Sequence, residues 1–118
     1  MDIHIDPASP IPPYDQVRQR IAALAADGTL PAGTKLPPVR TLAATLNLAA
    51  NTVARAYREL ETAGLVETRG RLGTVITARA TGTSVQAQHA AESYAATTRA
   101  LGLPPEQALA LVKAALSL

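Results

Sequence analysis

Cysteine, phenylalanine and tryptophan are absent from this 118-residue chain, and methionine occurs once, at its start. Without cysteine there is no disulfide and no thiolate ligand for a metal. Aromatic residues are 3% of the chain, all of them tyrosine, so the core must come from aliphatic side chains, chiefly alanine and leucine. Side chains this small fill an interior only when the elements approach closely, which favours packed helices. No run of about 18 apolar residues occurs, so no membrane-spanning helix is encoded. The opening Met-Asp-Ile-His-Ile-Asp has neither the basic nor the apolar segment of a secretory leader, which points to the cytoplasm and to no membrane partner.

Sequence signatures of chemistry are also missing. His4 and His89 lie far apart with no second ligand beside either, so no metal site is expected. A Gly-rich phosphate loop, a Ser-His-Asp set and a paired-carboxylate motif are all absent. The expectation is a protein with no catalytic residues, no cofactor and no enzymatic activity.

What is present is an uneven charge. Between Pro7 and Arg79 nine Arg and Lys stand against five Asp and Glu, a balance of +4, while the rest of the chain holds two basic and four acidic residues. A polyanion partner accounts for that segregation; so does an ordinary solvated surface, and charge alone does not choose between them.

The order of elements is more specific. Ile3 and Ile5 alternate with polar neighbours, as in a short edge strand. Pro10, Pro12 and Pro13 then hold the chain extended until a helix begins near Tyr14, with Val17, Ile21 and Leu24 on one face, and Gly28 ends it. Residues 29–38 form a turn-rich connector anchored by Leu30 and Leu36. A second helix is expected over Val39–Leu46, a short turn with Leu48 as its plug over 47–50, and a third helix over Asn51–Ala63 with Val53, Ala56, Tyr57 and Leu60 inward. Leu65–Arg69 and Thr74–Arg79 read as two strands joined by Gly70-Arg71-Leu72-Gly73, whose glycines supply the positive φ of a hairpin loop. Residues 80–84 are a small joint. Ser84 caps a fourth helix to Leu101, Gly102 ends it, and Pro104-Pro105 opens a fifth. The expected fold is mainly α with a small β-hairpin: a winged helix-turn-helix over residues 1–79, a linker over 80–83, and a two-helix dimerisation tail over 84–118.

In such a fold the second helix of the pair enters the major groove of DNA. Its outer face here carries Asn51, Thr52, Arg55 and Arg58, with Asn51, Arg55 and Arg58 on one stripe at i, i+4 and i+7. Asn suits adenine, Arg guanine, and Thr a phosphate or a thymine methyl. Arg40 follows Pro37-Pro38 at the start of the preceding helix, where its charge and the helix terminus both favour phosphate. Arg69 and Arg71 flank Gly70 at a narrow hairpin tip, which fits a minor groove. Each feature alone is also what a solvated surface shows; together they put binding groups at three places that one duplex reaches at once.

The stretch from Pro13 to Ile76 resembles the DNA-binding domain of the GntR family of bacterial regulators. The matching residues are Pro13-Tyr14-Asp15-Gln16-Val17, Gly28-Thr29-Leu30-Pro31-Ala32-Gly33, Leu36-Pro37-Pro38-Val39-Arg40-Thr41-Leu42-Ala43, Asn51-Thr52-Val53, Ala56-Tyr57, Leu60-Glu61-Thr62-Ala63-Gly64-Leu65-Val66 and Arg69-Gly70-Arg71-Leu72-Gly73-Thr74. The resemblance implies double-stranded DNA as partner, with contacts from Arg40 and the adjoining Thr41, base reading by Ala49, Ala50, Asn51, Thr52 and Arg55, and minor-groove entry by Arg69, Gly70 and Arg71. Two departures stand out. Ala49 and Ala50 replace the hydroxyl and the Arg or Pro usual before the recognition helix, so Asn51 either caps that helix or reads a base, and Pro38 replaces a Ser or Ala.

Residues 84–118 are too few for a large effector domain and are similar to the short tail of the YtrA-type subfamily, which implies a homodimer and no enclosed ligand pocket; any small-molecule effector stays unidentified. The residues agree: Leu109, Val112 and Leu116 form one stripe that two helices alone do not bury, with Tyr94 and Leu101 expected beside it. The cover is either a partner chain or the chain's own winged helix. The expected function is sequence-specific transcription regulation, as a repressor on a palindromic operator; the competing reading is a winged helix used for protein contacts without sequence-specific DNA binding.

Overall fold

The computed structural model describes residues 1–82 and 84–118, and of Val85 the backbone alone. Thr83, in the expected linker, lies outside the described residues. The chain separates into two compact units, the second beginning at Ser84.

The first unit opens with an arm that is not a strand. Residues 1–6 form no ladder; Ile3 is buried and Ile5 packs against the core, but the backbone is held by side chains of the first helix. Gln16 accepts from the Asp6 N–H at 2.8 Å and donates to the Asp6 and Ile11 carbonyls at 3.0 and 2.8 Å. Arg20 donates to the Asp2 carbonyl at 3.3 Å. These bonds hold the arm at Asp2, Asp6 and Ile11, where α1 rather than a neighbouring strand supplies the partners.

Helix α1 spans Pro13–Ala26, its ring-fixed first residue substituting for a polar cap. Val17, Ile21, Leu24 and Ala25 are its buried face. Helix α2 spans Val39–Leu46 and ends at Asn47, whose φ of 56° is left-handed; asparagine tolerates this conformation better than most residues. The Leu48 N–H then bonds the Ala43 carbonyl at 2.9 Å, closing the helix end. Helix α3 spans Ala50–Thr62, and its N-cap is Ala49, with no side-chain cap hydrogen bond. Asn51 is therefore the second residue inside the helix and does not cap it; the extended backbone at Ala49 (φ −66°, ψ 145°) already makes the turn.

Val17, Ile21, Val53, Ala56 and Leu60 are all 0–1% exposed, and they form the α1–α3 contact at the centre of the core. Burying each large aliphatic side chain stabilises the fold by roughly 1.5–3 kcal/mol. Tyr57 is the core's one aromatic residue; its hydroxyl donates to the Pro37 carbonyl at 2.7 Å and ties α3 to the connector.

Strands β1 (Val66–Thr68) and β2 (Thr74–Ile76) pair antiparallel, Val66 opposite Ile76 and Thr68 opposite Thr74. Both are shorter than expected. Beyond Ile76, Thr77 turns its side chain to cap a short helix α4 (Ala78–Thr81), accepting from the Ala80 N–H and donating to the Gly64 carbonyl at 2.7 Å. Residues expected to divide between a strand and a linker are thus helical. The connector supplies β2 with a further neighbour: Lys35 bridges Val75, and the Leu36 N–H bonds the Thr74 carbonyl at 2.8 Å.

The second unit is a helical hairpin, α5 (Val85–Ala100) and α6 (Pro105–Ala115). Ser84 caps α5 by accepting from the Ala87 N–H, and Gly102 turns the chain with φ 75°. Tyr94 donates to the Ala108 carbonyl at 2.8 Å across the hairpin. Among the described residues of this unit the single buried side chain is Thr98, whose hydroxyl bonds the Tyr94 and Ala95 carbonyls.

Two outcomes follow from this packing. Burial pushes the Tyr57 hydroxyl pKa up to about 12 from its ordinary 10. A raised acid pKa favours the native state below the unfolded value, so that contribution falls away as pH rises from 10 towards 12. Absorbance titration should show a tyrosine transition near 12 that disappears in Tyr57→Phe; a spectrum unchanged by the substitution contradicts the burial. At the uncapped start of α3, Ala49→Ser should raise stability to urea by about 1 kcal/mol by adding a cap. Asn51→Ala should change it by no more than about 0.5 kcal/mol, as for an exposed surface position.

Candidate nucleic-acid interface

The buried positions of α3 dictate what faces outward. With Val53, Ala56, Tyr57 and Leu60 inward, Asn51, Arg55 and Arg58 are exposed. Ala49 and Ala50 are exposed at the helix start, and Thr52 is half-buried. The first N–H groups of a helix have no intrahelical acceptor, so this end carries free donors and the positive end of the helix dipole. The two alanines leave it sterically open, and an exposed alanine methyl fits against a thymine methyl.

Arg40 and Thr41 are exposed in the first turn of α2. Beside them α2, α3 and the hairpin surround one groove of about 290 Å³, lined by Val39 from α2, Ala54, Tyr57, Arg58 and Glu61 from α3, and Thr68 and Thr74 from the two strands. The helix pair and the wing therefore open onto the same concavity of the first unit.

The wing tip is a single 3-10 turn over Gly70–Leu72. Gly70 and Gly73 have φ of 51° and 77°, conformations that cost a side-chain-bearing residue about 1–2 kcal/mol. The Arg69 N–H bonds the Gly73 carbonyl at 2.8 Å and closes the loop. Arg69 also pairs with Glu67, so the two tip arginines differ: Arg71 is exposed and has no ion pair among the described residues.

Arg55, expected to read bases, is engaged within the fold. Its guanidinium carbon lies 3.7 Å from the Tyr14 ring centroid, and its Nε pairs with Glu59 at 3.2 Å. One face and one edge of the group are occupied from within the fold.

Sequence reasoning passed over Lys35 and Leu72. Lys35 lies in the connector, where nothing local marks it, yet its bridge to Val75 carries it to the wing base; a Cβ built on Gly73 would stand 3.4 Å from its Cε. Leu72 is 60% exposed at the tip beside Arg71; its apolar character in an arginine-rich loop was the available signal.

In the second unit, Tyr94, Leu109 and Val112 line an apolar groove of about 370 Å³ between α5 and α6, together with Leu103 and Ala108. Leu109 and Leu116 are 56% and 63% exposed. Leu101 sits at the C-cap of α5, outside that lining. Among the described residues no cluster of three or more His, Cys, Asp and Glu is placed to hold a metal, and no helix is long and apolar enough to cross a membrane.

Residues 13–76 match the family model described as bacterial regulatory proteins, gntR family. The chain is 48% identical over 107 residues to the HTH-type transcriptional regulator Rv1152 of Mycobacterium tuberculosis, covering 91% of this chain and 88% of that protein. It is 46% identical over 85 residues to the HTH-type transcriptional repressor YtrA of Bacillus subtilis, covering 71% and 65% respectively. Among solved structures, YtrA of Sulfolobus acidocaldarius, a GntR-family transcription factor, aligns over 85% of this chain and 97% of its own with a TM-score of 0.62 and 32% identity. The exposed start of α3, the arginine at the start of α2 and the glycine-framed wing thus sit within the matched segment, and the chain belongs to the GntR family of bacterial transcription regulators, with relatives of the YtrA type.

Proposed function

We propose that this chain is a repressor that binds a palindromic operator as a homodimer. One observation carries the reading: α2, α3 and the wing surround a single groove that Arg58 lines, and α2 and the wing tip each carry a further exposed arginine, Arg40 and Arg71, with none of the three in an ion pair among the described residues. An arginine left unpaired on a surface is available to a phosphate.

In this reading Arg40 and Thr41 hold the phosphate backbone at the start of α2. Ala49, Ala50, Asn51 and Thr52 meet base edges at the start of α3. Arg69, Gly70 and Arg71 reach the adjacent minor groove, where the negative potential is strongest. Nothing in this arrangement needs a cofactor or a reaction, and the protein works in the cytoplasm by occupancy alone. Repression accords with the name of the Bacillus relative, because a protein seated on a promoter blocks it without further contacts.

The second unit supports dimerisation. Its exposed large apolar residues are Leu101, Leu109, Leu111, Leu116 and Leu118, more than a two-helix hairpin covers by itself. A second copy of the tail offers the matching apolar surface, and a two-fold dimer sets two recognition helices about 34 Å apart, one turn of DNA.

Selection of bound duplexes from a random pool tests the proposal: the recovered site should be an inverted repeat with half-sites one helical turn apart, and recovery of no consensus rejects it. Arg40→Ala should weaken binding to the selected site and to a mixed-sequence duplex alike, by about tenfold for a charge-assisted hydrogen bond. Unchanged affinity removes Arg40 from the interface. Leu109→Asp should sediment with the mass of one chain, and a dimeric mass for that variant denies the tail its role.

A further inference from the structure

Two arginines on the outer face of α3 have different surroundings, and the difference divides their work. Arg55 lies against α1: the Tyr14 ring covers its guanidinium face, and Glu59, one turn along α3, takes its Nε. A guanidinium stacked on an aromatic ring and paired with a carboxylate is already satisfied on two sides, and withdrawing it to reach DNA sacrifices both contacts. Arg58 lies on the opposite flank of the same face, in the groove shared with the start of α2 and the wing. A carboxylate stands within helical reach, at Glu61 three residues on, yet Glu61 accepts from the Thr68 hydroxyl at 2.9 Å. Arg58 is left exposed with no ion pair among the described residues.

We propose that Arg58 is a DNA-backbone contact, seated between the recognition helix and the wing, and that Arg55 is a structural brace that locks α3 onto α1 and touches no base. The proposal rests on the reading of this chain as a DNA-binding regulator and deepens it. The depth of Arg58 in the helix favours phosphate over bases. It lies eight residues beyond Ala50, about 12 Å of helix at about 1.5 Å per residue. A recognition helix that inserts its first turn has its later turns rising past the groove wall, where the phosphates are. Thr74, across the groove on β2, supplies a hydroxyl that a phosphate oxygen between α3 and the wing also accepts from.

The test measures full-length protein on two duplexes of equal length over a range of salt: the site selected from a random pool by the unaltered chain, and a mixed-sequence control. Arg58→Ala should weaken both by the same factor and flatten the dependence of log affinity on log salt by about one per protomer. Its melting temperature should not change, and Arg58→Lys should recover most of the salt slope. Arg55→Ala should keep the salt slope and the preference for the selected site, and should melt at a lower temperature. Tyr14→Leu should lower it too, with little added when the two are combined. An unchanged slope in Arg58→Ala overturns the assignment. So does a loss confined to the selected site, which marks a base contact, and so does a flattened slope or lost preference in Arg55→Ala. If the unaltered chain binds neither duplex in a salt-dependent way, the DNA-binding reading falls, and this assignment with it.

Discussion

The packing of α3 against α1 is the constraint on which the rest depends. Val53, Ala56 and Leu60 are sealed against Val17 and Ile21. Because a helix is a rigid object with about 3.6 residues per turn, burying these positions decides the direction of every other side chain on α3. Asn51 and Arg58 are outward because Val53 and Leu60 are inward. Ala56, 0% exposed at the contact, lets the two helices approach closely; a larger side chain there would push α3 off α1 and move every outward group with it.

The wing is positioned less directly. A two-stranded hairpin of three-residue strands is marginal by itself. Here the connector lends it a third neighbour through the Lys35 bridge and the bonds of Gly33, Thr34 and Leu36 to β2, while Val66, Val75 and Ile76 anchor it to the apolar interior. The strands end where they do because Thr77 gives its side chain to the next helix. The result is a short lever with a rigid base and a tip whose two left-handed glycines set the loop path.

The tail obeys a different balance. Ser84 caps α5, prolines open α6, and the Tyr94 hydroxyl joins the two helices, but the leucines stay exposed. Local signals are enough to make two helices, whereas burying their apolar faces takes surface that the hairpin lacks. This separates the two units physically: the first is complete in its core, and the second keeps its apolar side open.

Much of this was legible in the residues. The apolar spacing of α1, α2 and α3, the glycines of the wing loop and the Ser84 cap are local facts, and local facts settle which segments become helices and where they stop. Tertiary structure alone decided the rest, because those outcomes depend on which groups meet across the chain. Alternation at Ile3 and Ile5 suggested a strand, but residues 1–6 pair with no strand and Gln16 of α1 holds the arm at Asp6. Asn51 resembled a cap, but the extended backbone at Ala49 had already started the helix. Arg55 and Arg58 share one stripe of α3 and are indistinguishable by spacing. Only the fold brought Tyr14 over one of them and a groove beside the other, since a side chain's role is set by the neighbours that distant segments carry to it.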